Sequence, residues 1–246
     1  MLLVAVVIIT LGYRGQKEGM LAYTTKIVGD AGQLVEQKAH RILEPARLSL
    51  RLLTGTSLAE AGTLEARLQS VNIAMEALTA SQVSSAVYVG YTNGDFLLVR
   101  ALETPALRNR FDAPDLARFL VQSVEVKPSG EKVDQYIFYD NKRAFMERRM
   151  KADYVFDPRA RPWFMGAANT RNTLASEPYV FFSTRQVGIT LSQASRDGGA
   201  IFGIDIVLDD LAKSLTELKI TPNSQMAVVK RDGKVLAYSD MSEVLV

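Results

Sequence analysis

The stretch Phe156-Asp157-Pro158-Arg159-Ala160-Arg161-Pro162-Trp163-Phe164 gathers the only tryptophan, two prolines, two arginines and an acid into one short segment. The prolines make it a shaped object. Pro158 biases Asp157 toward an extended backbone, and Pro162 does the same to Arg161. Pro162 also suits the first position of a helix, where its missing N–H costs nothing. The helix predicted there carries Trp163, Phe164, Met165, Ala167 and Ala168. Arg161 then stands at the mouth of a helix N-terminus, a place that favours anions. Its planar guanidinium fits a carboxylate with two hydrogen bonds. Trp163 and Phe164 supply the apolar wall of such a pocket.

On the N-terminal side, residues 1–13 are apolar and uncharged. The run is shorter than the roughly 20 residues that cross a bilayer, and it lacks the basic start and small-residue cleavage site of a signal peptide. It reads as the outer half of a membrane anchor, with Tyr13 and Arg14 at the interfacial end. Residues 16–53 read as a long helix in which Leu34, Val35, Ile42 and Leu43 recur at helical spacing, and Pro45 is expected to kink or split it. Ser57-Leu58-Ala59-Glu60 resembles a capping box opening a second helix. There Leu64, Leu68, Val71, Met75 and Leu78 form a heptad-like stripe. That stripe packs on the domain's own sheet, or the long helix forms a parallel dimer seam; both readings stand.

After Gln82 the period changes to that of strands. Residues 84–91 and 96–102 flank the turn Asn93-Gly94-Asp95. A short helix is expected over 113–122. Strands follow at 133–139, 143–150, 179–183, 188–194 and 200–208, with Asp197-Gly198-Gly199 as a turn. Asp209 is positioned to cap a helix over 211–218, and Thr221-Pro222-Asn223 breaks it. A last hairpin spans 226–231 and 234–238, too little for an independent domain. Hairpin-linked strands after long helices predict an α+β fold: an antiparallel sheet with helices packed on it.

Bulk properties exclude much. The chain has 246 residues, enough for one large or two small domains, and is 48% hydrophobic, enough to bury a core. A net charge of +2 argues for neither nucleic acid nor a strongly anionic partner. With no cysteine and one histidine, His40, thiolate metal sites, disulfide scaffolds and most zinc or histidine-based catalysis are excluded. The basic run from Lys142 to Arg161 is broken by Glu147, Asp153 and Asp157 and reads as a solvated strand edge rather than a nucleic-acid groove. Asp209-Asp210 beside Asp205 is better explained by a helix start than by a hydrolytic carboxylate pair.

The motif resembles the Asp-Pro-Arg-x-Arg-Pro-Trp-Tyr signature of double Cache sensor domains. The likeness is collinear. Glu177 to Ser183 resembles the strand after the motif helix, Ile201 to Leu211 the last strand and exit helix of the membrane-distal module, and Ala227 to Ala237 the opening hairpin of the membrane-proximal one. The resemblance implies a PAS-like sheet, a periplasmic or extracellular sensor on the bacterial inner membrane, and a full-length receptor with a histidine kinase, chemoreceptor or nucleotide cyclase output. It implies no enzymatic activity in the sensor portion. The expected organisation is part of an anchor (1–13), a long helix region (14–80), the membrane-distal module (81–220) and the start of a truncated second module (221–246).

Alternation in the strand 201–207 places Asp205 with Ile201, Gly203 and Val207, and a carboxylate on an apolar face needs a partner. In the family, the matching acid holds a ligand's amino group and the motif arginine holds its carboxylate. Either that role or an internal Asp205–Arg161 ion pair fits. This chain has Phe156 and Phe164 where the amino-acid-sensing version has tyrosines, and Phe181 where it has an acid. The expected ligand is therefore a small organic acid or an apolar carboxylate, with an α-amino acid second. The expected contacts are Arg161, Trp163, Asp205, Tyr179, Phe156, Phe164, Phe181 and Tyr136, with no catalytic residue, metal or cofactor. The expected partners are the membrane, through the N-terminal segment, and a second copy in a homodimer, beside the small molecule and with no nucleic acid. The rival readings are a ligand-free dimerisation module and a hydrolase.

Overall fold

A computed structural model describes residues 2–151, 156–217, 219, 223–229 and 233–239. Helix α1 (Leu2–Leu53) leads into a 3-10 turn at Ser57–Glu60 and two short helices, α2 (Leu64–Gln69) and α3 (Val71–Thr79). The hairpin β1 (Ser84–Tyr91) and β2 (Phe96–Ala101) follows, then α4 (Pro105–Arg110), β3 (Phe119–Val126), β4 (Lys132–Tyr139) and β5 (Phe145–Met150). After the motif come α5 (Pro162–Ala167), β6 (Leu174–Ala175), β7 (Tyr179–Val180), β8 (Val187–Ala194), β9 (Ala200–Val207) and α6 (Leu208–Glu217). A separate hairpin pairs β10 (Ala227–Val229) with β11 (Val235–Tyr238).

Strands one to nine form a single antiparallel sheet in the order β5-β4-β3-β2-β1-β9-β8-β6, with β7 also on β8. One face carries the main core. The end of α1, through Ala46, Leu50 and Leu53, and the stripe Leu64, Val71, Met75 and Leu78 cluster there with Val87, Val99, Val121 and Ile204, and Leu68 packs against them. The heptad-like stripe thus covers the domain's own sheet. The other face bears the motif loop and α5, through Phe156, Trp163, Phe164 and Ala167.

Several expectations are corrected. Helix α1 is not split at Pro45. A proline deletes one hydrogen bond, and burial of the flanking Ala46, Leu50 and Leu53 offsets that loss. Ser57–Glu60 is only a 3-10 turn; Thr63 caps the next helix instead, accepting from Ala66 N at 3.2 Å. The helix expected over 113–122 is absent. Its second half is the start of β3, and the helix lies earlier, at Pro105, capped by Thr104. The run Phe119–Val124 is buried on both faces, and a doubly buried strand loses the alternation that marks strands. The strand expected over 179–183 ends at Val180, because the chain turns back there: Phe181 N donates to Gln186 O at 2.8 Å. Asp209 sits inside the first turn of α6 rather than capping it.

The hairpin turn carries more than a turn. Arg67 of α2 is fully buried and paired with Asp95, whose other oxygen accepts from Val126 N at 2.7 Å. This pair pins the helical layer to the β1–β2 turn.

Candidate functional site

The motif divides its two arginines. Asp157 accepts from the backbone N–H of Arg159 at 3.0 Å and caps the Pro158–Ala160 turn. The same carboxylate takes two bonds from the Arg159 guanidinium, at 3.0 and 2.8 Å. Arg159 holds the Asp157 carboxyl below the usual carboxylate range. Lys132 on β4 donates to Phe156 O at 2.8 Å and ties the loop to the sheet. Arg161 is left over. Its guanidinium carbon lies 5.8 Å from the ring centroids of Tyr179 and Phe182 and 6.0 Å from that of Phe156. Among the described residues, no ion pair engages it, so the internal Asp205–Arg161 pair is not formed. Helix α5 has six residues, so the positive character of this site rests on the guanidinium rather than on a macrodipole.

A glycine lets the loop dock. A Cβ on Gly90 would stand 2.7 Å from Pro158 and 2.8 Å from the Trp163 ring. Beneath the loop, Tyr88 on β1 faces Gly203 on β9. A Cβ there would lie 2.1 Å from the Tyr88 ring. The bare glycine lets that ring lie across β9, and its hydroxyl reaches Asp205. Tyr88 donates to Asp205 Oδ1 at 2.6 Å, and Thr190, opposite Asp205 on β8, donates at 2.7 Å. Having given its proton to Asp205, Thr190 accepts from Tyr179 at 2.7 Å. Burial pushes the Asp205 carboxyl up; the Thr190 and Tyr88 hydrogen bonds, then Arg100 and Arg161, act against that. Burial likewise pushes the Tyr88 and Tyr179 hydroxyls up, with the Asp205 charge adding to it.

These groups line a cavity of about 30 Å³, bounded by Arg161 and Asp205 with Tyr88, Trp163, Tyr179 and the rings of Phe156, Phe181 and Phe182. That is room for about one water, so anything larger enters only as the rings and the Arg161 side chain shift. Six of the eight expected residues meet here: Arg161, Trp163, Asp205, Tyr179, Phe156 and Phe181. Phe164 stands behind the wall, packed on Trp163 with ring centroids 5.5 Å apart. Tyr136 lies on β4 with Phe111 and Phe138, outside the cavity. Tyr88, Thr190, Phe182 and Arg100 were not anticipated. The alternation of Ala86, Tyr88 and Gly90 was a signal for Tyr88; the others depend on strand register. Fully buried Arg100 donates to Ser183 Oγ at 3.2 Å and also lines a cleft of about 620 Å³ between α4 and α6. Among the described residues, no acid or histidine cluster is able to hold a metal.

The fold recurs in solved structures. The ligand-binding domain of the Campylobacter jejuni chemoreceptor Tlp3, in complex with L-valine, superposes with a TM-score of 0.55 over 93% of this chain and 74% of that one, at 17% identity. The fold is that of a Cache-type sensor domain. The Pseudomonas aeruginosa PAO1 amino acid chemoreceptor PctB, solved with L-Arg, matches this Cache-type fold with a TM-score of 0.55 over 89% of this chain and 72% of that one, at 19% identity. Adenylate cyclase 1 of Rhizobium meliloti (strain 1021) is 34% identical over 171 residues, 69% of this chain and 26% of that one. The chain therefore spans about a quarter of that relative's length. No family model matches it. The matched structures are ligand-binding domains of chemoreceptors.

Proposed function

We propose that this chain is the extracytoplasmic ligand-sensing part of a transmembrane receptor, and that it binds a small organic acid or other carboxylate between Arg161 and the Asp205 strand. The observation that carries the reading is the Arg161 guanidinium. It faces the cavity and three aromatic rings and, among the described residues, has no ion-pair partner, two residues from an arginine that is fully engaged. A partly desolvated cation of this kind gains most from a bidentate carboxylate. Trp163, Phe156, Phe181 and Phe182 would cover the ligand's apolar body.

An α-amino acid is the second reading. The solved neighbours that hold L-valine and L-arginine favour it, as does an acid at the far wall. Against it, Asp205 Oδ1 already accepts two hydroxyls, and Phe181 offers no polar handle. In both readings entry of the ligand repacks the small cavity and moves the 156–164 loop against the sheet. That movement would shift a two-state equilibrium, which α1 and α6 would carry toward the membrane. Among the described residues no helix is long and apolar enough to cross a membrane. Attachment through the 1–13 segment, assembly as a homodimer, a membrane-distal module over 81–220 and a second module beginning at 221 belong to this proposal. So does a periplasmic location at the inner membrane, with a cyclase, kinase or chemoreceptor output.

Calorimetric titration with matched organic acids and amino acids tests the reading. Saturable binding of carboxylates that Arg161→Ala abolishes is expected. Binding that survives Arg161→Ala would remove its basis, and a clear amino-acid signal beside silent organic acids would promote the second reading.

A further inference from the structure

The pocket wall does not end at Leu98. Leu98 pairs with Gln122 on β3, and Gln122 pairs with Tyr136 on β4, so the three side chains form one row on the same face of the sheet. Gln122 is 1% exposed, yet among the described residues neither its amide nitrogen nor its amide oxygen has a hydrogen-bond partner. Tyr136 stands directly opposite; burial pushes its hydroxyl up, and the Gln122 amide with the Arg100 and Arg110 charges opposes that push. On the same face of β4, Asp134 is 7% exposed and its Oδ1 is also without a partner. A second connection leads back to the pocket. Lys132, whose charge acts on Asp134, holds the carbonyl of Phe156, and Phe156 lines the cavity.

We infer that Gln122, Tyr136 and Asp134 form an annex of the ligand pocket that receives an uncharged hydrogen-bonding group, a hydroxyl or a carboxamide, at the far end of the carboxylate held by Arg161. The inference rests on the carboxylate reading above. A buried side-chain amide with both ends unmade destabilises the fold, and strands this apolar place leucine or valine at such positions at no loss. Gln122 therefore supplies something that an apolar residue does not. The unmade bonds include donors, on Gln122 Nε2, and acceptors, on Gln122 Oε1 and Asp134 Oδ1. A group that both donates and accepts satisfies that set, whereas a second carboxylate would offer acceptors only and would meet the Asp134 oxygen. The partition between pocket and annex is Leu98, a flexible apolar side chain rather than backbone, and the small cavity already requires its walls to shift.

The test uses straight-chain carboxylates of equal length that end in a methyl, a hydroxyl or a carboxamide, titrated into the full chain. Wild type is expected to bind the polar-ended members about tenfold tighter than the methyl-ended one. Gln122→Leu should erase that preference, keep binding of the methyl-ended acid, and leave the ligand-free melting temperature unchanged or higher. Asp134→Asn should change the ranking of hydroxyl against carboxamide, which provides a second variant if the first misfolds. Arg161→Ala should bind none of them. Equal wild-type affinities, or a preference that survives Gln122→Leu, overturns the annex while leaving the carboxylate reading intact. If no acid binds wild type, the carboxylate reading fails, and the annex fails with it.

Discussion

On one side of β9, Phe202, Ile204 and Ile206 merge into a core shared with Leu50, Met75 and Leu78. On the other, one residue out of phase, stand Ile201, Gly203 and Asp205, facing a tyrosine, a threonine and the motif loop. Both sides are equally dry; every residue of β9 is buried. The helix side is filled by shape alone, and any group of the right volume serves it. The loop side is filled by hydroxyls, an acid, rings and a guanidinium, each placed by another. On the proposed reading, stability resides on the first side and recognition on the second, with the strands between them packed from both.

Substitutions on the two sides should therefore separate these properties. Met75→Ala on the helix side should cost about 2–5 kcal/mol of stability and leave the affinity of surviving folded protein unchanged; denaturant titration with calorimetry checks both. Arg161→Ala should do the reverse. Loss of a charge-assisted bond, about 1.5–3 kcal/mol, lowers carboxylate affinity, while stability stays within about 0.5 kcal/mol. A large loss of stability there would mean that Arg161 is structural. Gly203→Ala strikes both properties, because the new methyl collides with the Tyr88 ring. About 1–3 kcal/mol of stability should go together with the ordered Asp205 hydroxyls, readable as a binding defect out of proportion to the stability loss.

Titration gives a subtler contrast. Burial pushes the Asp134 carboxyl on the loop side from an ordinary 3.8 up to about 6. The folded state then holds its proton more tightly than the unfolded chain does. Its contribution is fully present below the unfolded value and is lost as pH rises through about 6. Wild type should lose stability relative to Asp134→Asn between about pH 4 and 6 and run parallel to it above. A flat difference across that window would contradict the buried acid. The smallest effect is expected for Arg159→Ala. Its pair with Asp157 is half exposed, and such pairs give about 0–1 kcal/mol, so binding should change far less than with Arg161→Ala. Equal binding losses would erase the distinction between the two arginines.

Much of this was open to reading in the chain. Asn93-Gly94-Asp95 announced its hairpin because a turn of this kind needs a residue at positive φ, and Gly94 sits at +97°. Pro162 announced α5. Strand β3 was hidden because burial on both faces removes alternation, and its apolar run passes for a helix. Phe181 and Phe182 were read into a strand because their turn is made by Gln186 and the positive φ of Arg185, which carries no glycine to mark it. Tyr136 and Phe164 have the right composition for a pocket, but register sends one to the neighbouring cluster and packing puts the other behind Trp163.

Local rules, acting over a few residues, already determined the antiparallel α+β architecture, the proline-shaped loop, the helix it opens and the candidacy of Arg161 and Asp205. Which arginine is engaged and which remains available, and which hydroxyls orient the acid, were decided only by the folded chain. Those outcomes depend on pairings between residues far apart in sequence: Gly203 with Tyr88 and Thr190 with Asp205. Such contacts exist only once the sheet register is set, and no short-range preference encodes that register.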